Sequence, residues 1–152
     1  MSITQSILVS TDFSDGAHHG LVKAAELAEE MGAKVTLCHV LDPSPFAPVA
    51  LRGEAVQQIA DEQDLEKALH DALRDVADKY FGAIDEVKTA LIMSPNAAQG
   101  ICHYASKEDT DLIVLSTHGR TGLSHLLIGS VAEKVVRHAP CPVLTVRTPL
   151  DD

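Results

Sequence analysis

The segment STHGRTGLSHLLIGSVAEK, residues 116–134, sets three glycines, Gly119, Gly122 and Gly129, among hydroxyls and a guanidinium. Backbone N–H groups can come close to a phosphate where no Cβ intervenes. Thr117, Arg120, Thr121 and Ser130 would add side-chain donors. Gly129–Ser130 stands where a helical pattern begins, so free N–H groups and the helix dipole would favour an anion there. The spacing is neither a P-loop, which needs Gly-x4-Gly-Lys-Ser/Thr, nor the Gly-x-Gly-x-x-Gly dinucleotide fingerprint. A second reading needs no ligand. Ser130-Val-Ala-Glu133 has the form of a capping box, and Gly119 and Gly122 could serve only to let a turn adopt positive φ. Spacing leaves both readings open.

Other reactive residue types are few. Asp12 closes a short apolar run and could simply cap the turn that follows. Arg120 either meets phosphate oxygens beside Gly119 or faces solvent. His118 reads as a hydrogen-bonded packing residue, not a catalyst. None of the eight histidines falls in a His-x3-His pattern, and Cys38, Cys102 and Cys141 lack paired spacing. Neither a metal site built from protein side chains alone nor a disulfide framework is expected. Cys38 and Cys102 read as core packing, and Cys141, between two prolines, as half-exposed. The glycine segment holds no base paired with a nucleophile and no Walker lysine, so fast ATP hydrolysis is not expected.

The elements that must carry these residues alternate between short apolar runs and amphipathic stretches. SILVST is a buried strand ending at Thr11–Asp12. Ser14 or Asp15 can cap a helix whose apolar face runs Ala17, Leu21, Ala24, Ala28, Met31, with Gly32 ending it. AKVTLCHVLD is a second strand, followed by the proline-rich loop PSPFAP. A long helix shows the stripe Ile59, Leu65, Leu69, Ala72, Val76, Tyr80, and its charged face reads as solvated surface. EVKTALIMS, TDLIVLSTH and CPVLTVR are three further strands, separated by the helices PNAAQGICHYASKED and SVAEKVVRHA. Five strands with helical crossovers predict an α/β fold: one doubly wound, five-stranded parallel sheet with helices on both faces. Ligands of such sheets bind beyond the carboxyl ends of the strands, where strand order reverses. If strands one and four are neighbours, Asp12 and residues 116–119 face one crevice. Pro142 marks the last strand as an edge, and pairing it with a second copy would remove an exposed apolar edge.

The bulk properties agree with one domain over residues 1–152. Apolar residues make up 45% and the formal net charge is −10, which disfavours nucleic acid and anionic membranes as partners. The N-terminal residues lack the basic region of a signal peptide, and no stretch approaches ~18 uninterrupted apolar residues, so no membrane insertion is expected. A cytoplasmic protein is the expectation. Aromatics are only 3% and none lies in the glycine segment, which disfavours a flavodoxin-like flavin carrier.

The stretch LIVLSTHGRTGLSHLLIGSVAEKVVRHAPCPVLTV resembles the C-terminal signature of the universal stress protein family. ILVSTDFSD and LCHVLD match it too, in the same order, so the resemblance spans essentially the whole chain. It implies the adenine nucleotide alpha hydrolase-like fold. It also implies a homodimer through the C-terminal strand, a role in stress response exerted on an unidentified regulated protein, and ATP as ligand with Mg2+ or Mn2+ as counter-ion. ATP-binding members carry Gly-x2-Gly-x9-Gly-Ser/Thr. Here Gly119, Gly129 and Ser130 fit, whereas Ser116 replaces the first glycine. The resemblance places Asp12 near the ribose and metal and the main chain of Val40 against adenine. The nucleotide-binding set it implies is completed by Thr11, Thr117, His118, Arg120, Thr121, Gly122 and Val131. The alternatives are a member that binds no nucleotide and works through protein contacts, and a slow ATP-hydrolysing enzyme.

Overall fold

Ile7, Leu8 and Val9 are all at most 1% exposed, as only a strand covered on both faces allows. They belong to β1 (Ser6–Ser10), the middle strand of a parallel sheet ordered β3-β2-β1-β4-β5. The computed structural model describes residues 4–44, 55–117 and 128–149. β1 pairs with both β2 (Lys34–Leu41) and β4 (Leu112–Ser116), so strand order reverses at β1/β4. β3 (Val87–Met93) and β5 (Val143–Val146) are the two edges. Ile7, Val9, Val35, Leu37 and Val114 meet the helices α1 (His18–Met31) and α2 (Ala55–Phe81) on one face. Leu8, Cys38, Ile113 and Leu115 meet α3 (Ala97–Lys107) and α4 (Ser130–His138) on the other. Among the described residues no helix is long and apolar enough to cross a membrane.

Three local expectations are corrected. The chain enters α1 through a 3-10 turn, Asp15–Ala17, and neither Ser14 nor Asp15 caps the helix. The Ser14 hydroxyl donates instead to Asp12 Oδ1. Met31 is 41% exposed and falls off the apolar face, which ends at Ala28; Gly32 then closes the helix at φ 63°. In α2 the buried track is Leu73, Ala77 and Phe81, with Leu69, Ala72, Val76 and Tyr80 only half-buried beside it. At 3.6 residues per turn an i+3/i+4 stripe has two neighbouring tracks; the one ending in the wholly apolar Phe81 lies deeper, while Tyr80 keeps its hydroxyl at the surface, 2.6 Å from His18 Nδ1. The Ile59 side chain and most of the PSPFAP loop lie outside the described residues.

Candidate nucleotide site at the strand crossover

β1 leads directly into a tight turn. Thr11 N–H still donates to Cys38 O at 2.9 Å, continuing the sheet ladder. Thr11 Oγ1 then accepts from Phe13 N–H (3.1 Å) and Asp12 Oδ1 from Ser14 N–H (2.9 Å). These two side-chain turns force the backbone round so sharply that Phe13 adopts φ 63°, a costly left-handed conformation for a residue with a bulky side chain. The Phe13 ring lies 4.7 Å from that of His39, whose Nδ1 donates to Thr11 O at 2.8 Å. The left-handed residue is thus held on both sides, and Asp12 is fixed at the rim of the sheet.

β4 ends beside it. Thr117 N–H donates to Val146 O, and Thr117 O accepts from Gly129 N–H at 2.7 Å. That second bond draws the start of α4 against the end of β4. A Cβ on Gly129 would sit 2.8 Å from Thr117 O, so the close approach requires glycine at φ −63° for reasons internal to the chain. Gly129 is the N-cap of α4 and its carbonyl accepts from Glu133 N–H. The expected capping box does not form. Ser130 is already the first helical residue, one position too late, and Glu133 turns to Arg137 at 3.0 Å instead. The first-turn N–H groups of Ser130, Val131 and Ala132 therefore have no intrahelical partner.

Ser116, which replaces the first motif glycine, is engaged within the chain. Its hydroxyl accepts from Gly20 N–H at 3.1 Å and donates to Ala17 O at 3.3 Å. Gly20 is the third residue of α1, so Ser116 supplies from β4 the N-terminal cap that α1 lacks. The hydroxyl is committed to the helix and is not a free donor for a phosphate oxygen.

These segments enclose a cavity of about 280 Å³ above the carboxyl ends of β1 and β4. Its lining includes Thr11 and Asp12 after β1, Ser116 and Thr117 at the end of β4, Gly129, Ser130 and Val131 at the start of α4, and Val40 near the end of β2. The structure thus brings together every anticipated residue that it describes. His118, Gly119, Arg120, Thr121 and Gly122 lie outside the described residues. The lining also includes residues not anticipated, among them His39, Ala97 and Ile101. His39 precedes Val40 at the carboxyl end of a strand, and that position was the available signal. Among the described residues no group of three or more His, Cys, Asp or Glu could hold a metal. A cation at Asp12 would need further oxygens from a ligand. Cys38 is fully buried and its thiol is pushed up to about 12 by burial. Cys102 and Cys141 are half-buried and raised, chiefly for the same reason.

The chain is similar to known proteins in sequence and fold. The sequence model of the universal stress protein family matches residues 4–147. This chain belongs to the universal stress protein family. A universal stress protein of Methanocaldococcus jannaschii is 33% identical over 150 residues, covering 97% of this chain and 85% of that one. The UspA universal stress protein of Lactobacillus plantarum superposes with a TM-score of 0.71 at 27% identity, over 97% of this chain and 100% of the other. A universal stress protein solved in complex with cAMP shares the fold, with a TM-score of 0.67 at 22% identity, over 97% and 100%. In this universal stress protein the serine at the first motif position has a structural role, the capping of α1. The glycine at the third motif position is required by its own neighbour, Thr117.

Proposed function

We propose that this universal stress protein binds ATP in the crossover cavity and acts in the cytoplasm as a dimeric sensor or modulator of another protein. One observation carries the reading. Asp12 and the N-terminus of α4, whose first-turn N–H groups have no intrahelical partner, line one cavity at the point where strand order reverses. A carboxylate suits sugar hydroxyls or a magnesium-bound water, and unpaired helix N–H groups suit phosphate oxygens. The apolar wall from Val40, Ile101 and Leu115 suits a base. Adenine as that base rests on the family resemblance and on the relative solved with cAMP. The Ser116 hydroxyl faces α1, so the serine does not by itself favour the reading without nucleotide.

Turnover should stay at or below roughly one ATP per minute, far under the ~10 s⁻¹ of a typical enzyme. His39, which lines the cavity, has its Nδ1 tied to the Thr11 carbonyl. The test is acid extraction of nucleotide from purified protein, followed by chromatography and by calorimetry with Mg-ATP. Recovery of ATP and saturable binding support the reading. No nucleotide in the extract and no binding at millimolar Mg-ATP would remove it.

A further inference from the structure

A second groove, of about 390 Å³, runs between the edge strand β3 and helix α3, away from the crossover cavity. Its strand wall is Leu91–Ser94. Its helix wall carries Gln99, His103 and Lys107, spaced four apart and therefore in one row, with Tyr104 beside them. None of these four side chains makes a hydrogen bond or ion pair among the described residues. Lys107 is a cation without a carboxylate, since its neighbour Glu108 is engaged by Lys88 at 3.5 Å.

The backbone of β3 adds to this. Glu86 O accepts from Val35 N–H, and Ser94 N–H donates to Leu41 O. Even-numbered residues of β3 thus face β2, and the alternation of a strand turns the N–H and C=O groups of Leu91 and Met93 outward. Lys88 guards the lower part of this edge, but residues 91–94 carry no charge, which is how protected edges are not built. An open edge beside a groove that takes alternate side chains is the geometry of strand addition.

From this juxtaposition we infer that β3 and α3 form a docking site for an extended peptide segment of a partner protein. The segment pairs with the outward groups of Leu91 and Met93. It presents an apolar side chain toward Ile92 and Tyr104 and a carboxylate toward Lys107. The inference is independent of nucleotide binding.

The probe is acetyl-Thr-Val-Thr-Glu-Thr-Glu-Thr-amide, whose Val and Glu side chains share one face of an extended strand, titrated into the isotope-labelled full chain and followed by amide shifts. Saturable shifts confined to residues 91–94 and 99–107 are expected. Replacing both Glu by Lys should weaken binding about two- to fivefold, the range for an exposed charge pair, and Lys107→Glu should reverse that preference. Methylating alternate peptide nitrogens, which blocks strand pairing without touching the protein, should abolish binding. Any of four results overturns the inference. The methylated peptide binds equally well; acetate alone reproduces the shifts; the shifts map to β5 or are absent at 5 mM peptide (roughly five times a 1 mM Kd); or the same residues shift with protein concentration alone, showing a second copy in the groove.

Discussion

The Ser116 hydroxyl and the Gly20 N–H meet at 3.1 Å across 96 positions of sequence, and each residue's identity depends on the other. A Cβ on Gly20 would lie 2.6 Å from Ser116 Oγ. Gly20→Ala should therefore cost about 1 kcal/mol or more, although alanine in a helix ordinarily gains nearly that much over glycine. Ser116→Gly removes the cap and should cost ~0.5–2 kcal/mol. In the double variant the collision with the hydroxyl disappears, so its cost should fall short of the sum of the two single costs by at least ~0.5 kcal/mol. Urea unfolding of the four proteins measures this. Simple additivity would show that the contact has no energetic weight. Because the hydroxyl faces α1, Ser116→Gly should change ATP affinity less than about tenfold, or 1.4 kcal/mol.

Gly129 looks from sequence like a residue kept small for phosphate, so that a valine there would weaken ATP binding and spare the fold. The 2.8 Å approach of a Cβ to Thr117 O changes that expectation. Gly129→Ala should destabilise the apo protein by ~1–3 kcal/mol, as overpacking against backbone does. Gly129→Val should be worse. A denaturant midpoint in the absence of nucleotide decides it, and an unchanged midpoint would return Gly129 to a purely ligand-directed role.

Asp12→Asn is the cleaner binding test. The asparagine oxygen can still accept from Ser14 N–H, so the turn at Phe13 survives while the charge is lost. Mg-ATP affinity should fall at least ~10-fold, about 1.4 kcal/mol, and affinity for ATP in EDTA should fall much less. Calorimetry with and without magnesium separates the two. Equal losses would place Asp12 away from the cation.

What could be read from the sequence was whatever is encoded locally. The run Ile7–Val9, the glycine that ends α1 and the position of Asp12 at a strand end each depend on a few adjacent residues. The crossover of β1 and β4 then brought those anticipated residues that are described to one cavity without further information. The misread features each needed one fact from elsewhere. Ser14 looked like a cap until Asp12 took its hydroxyl. Ser130 looked like a capping box, but Thr117 O holds Gly129 so that the helix starts one residue earlier than the box requires. The Ser116–Gly20 pair joins β4 to α1, and no window of sequence contains both.

Asp111 ties the start of β1 to the residues leading into β4. Its Oδ2 accepts from Gln5 N–H (2.9 Å), Ser6 N–H (3.0 Å) and the Ser6 hydroxyl. The Gln5 N–H in the first place, then those of Ser6, hold the carboxyl below the usual range against an opposing effect of burial. A depressed folded pKa contributes stability that is present above the unfolded value of about 3.9. That stability is lost as pH falls through the lower folded value. The urea midpoint of the wild type should therefore drop more steeply below about pH 4 than that of Asp111→Asn, with the variant already weaker at pH 7. Parallel acid limbs in the two proteins would show that the charge of Asp111 is not what these hydrogen bonds stabilise.

Pro142 O accepts from Ile113 N–H and Val146 O from Thr117 N–H, so even-numbered residues of β5 face β4. Val143 and Thr145 consequently turn their N–H and C=O groups outward along the free edge. Pairing this edge with its twin about a two-fold axis satisfies those groups on both copies at once, because such a contact is self-complementary. The wild type should sediment at twice 16.2 kDa at micromolar concentration. Thr145→Pro removes one outward N–H while leaving every bond to β4 in place, and edge strands tolerate proline at such positions. It should yield a monomer whose circular dichroism matches the wild type. Val136, on α4, is 52% exposed in the single chain; Val136→Asp should leave the dimer intact if backbone pairing is its main contact. A wild type that stays monomeric, or a Thr145→Pro protein that is folded and still dimeric, would move the interface off β5.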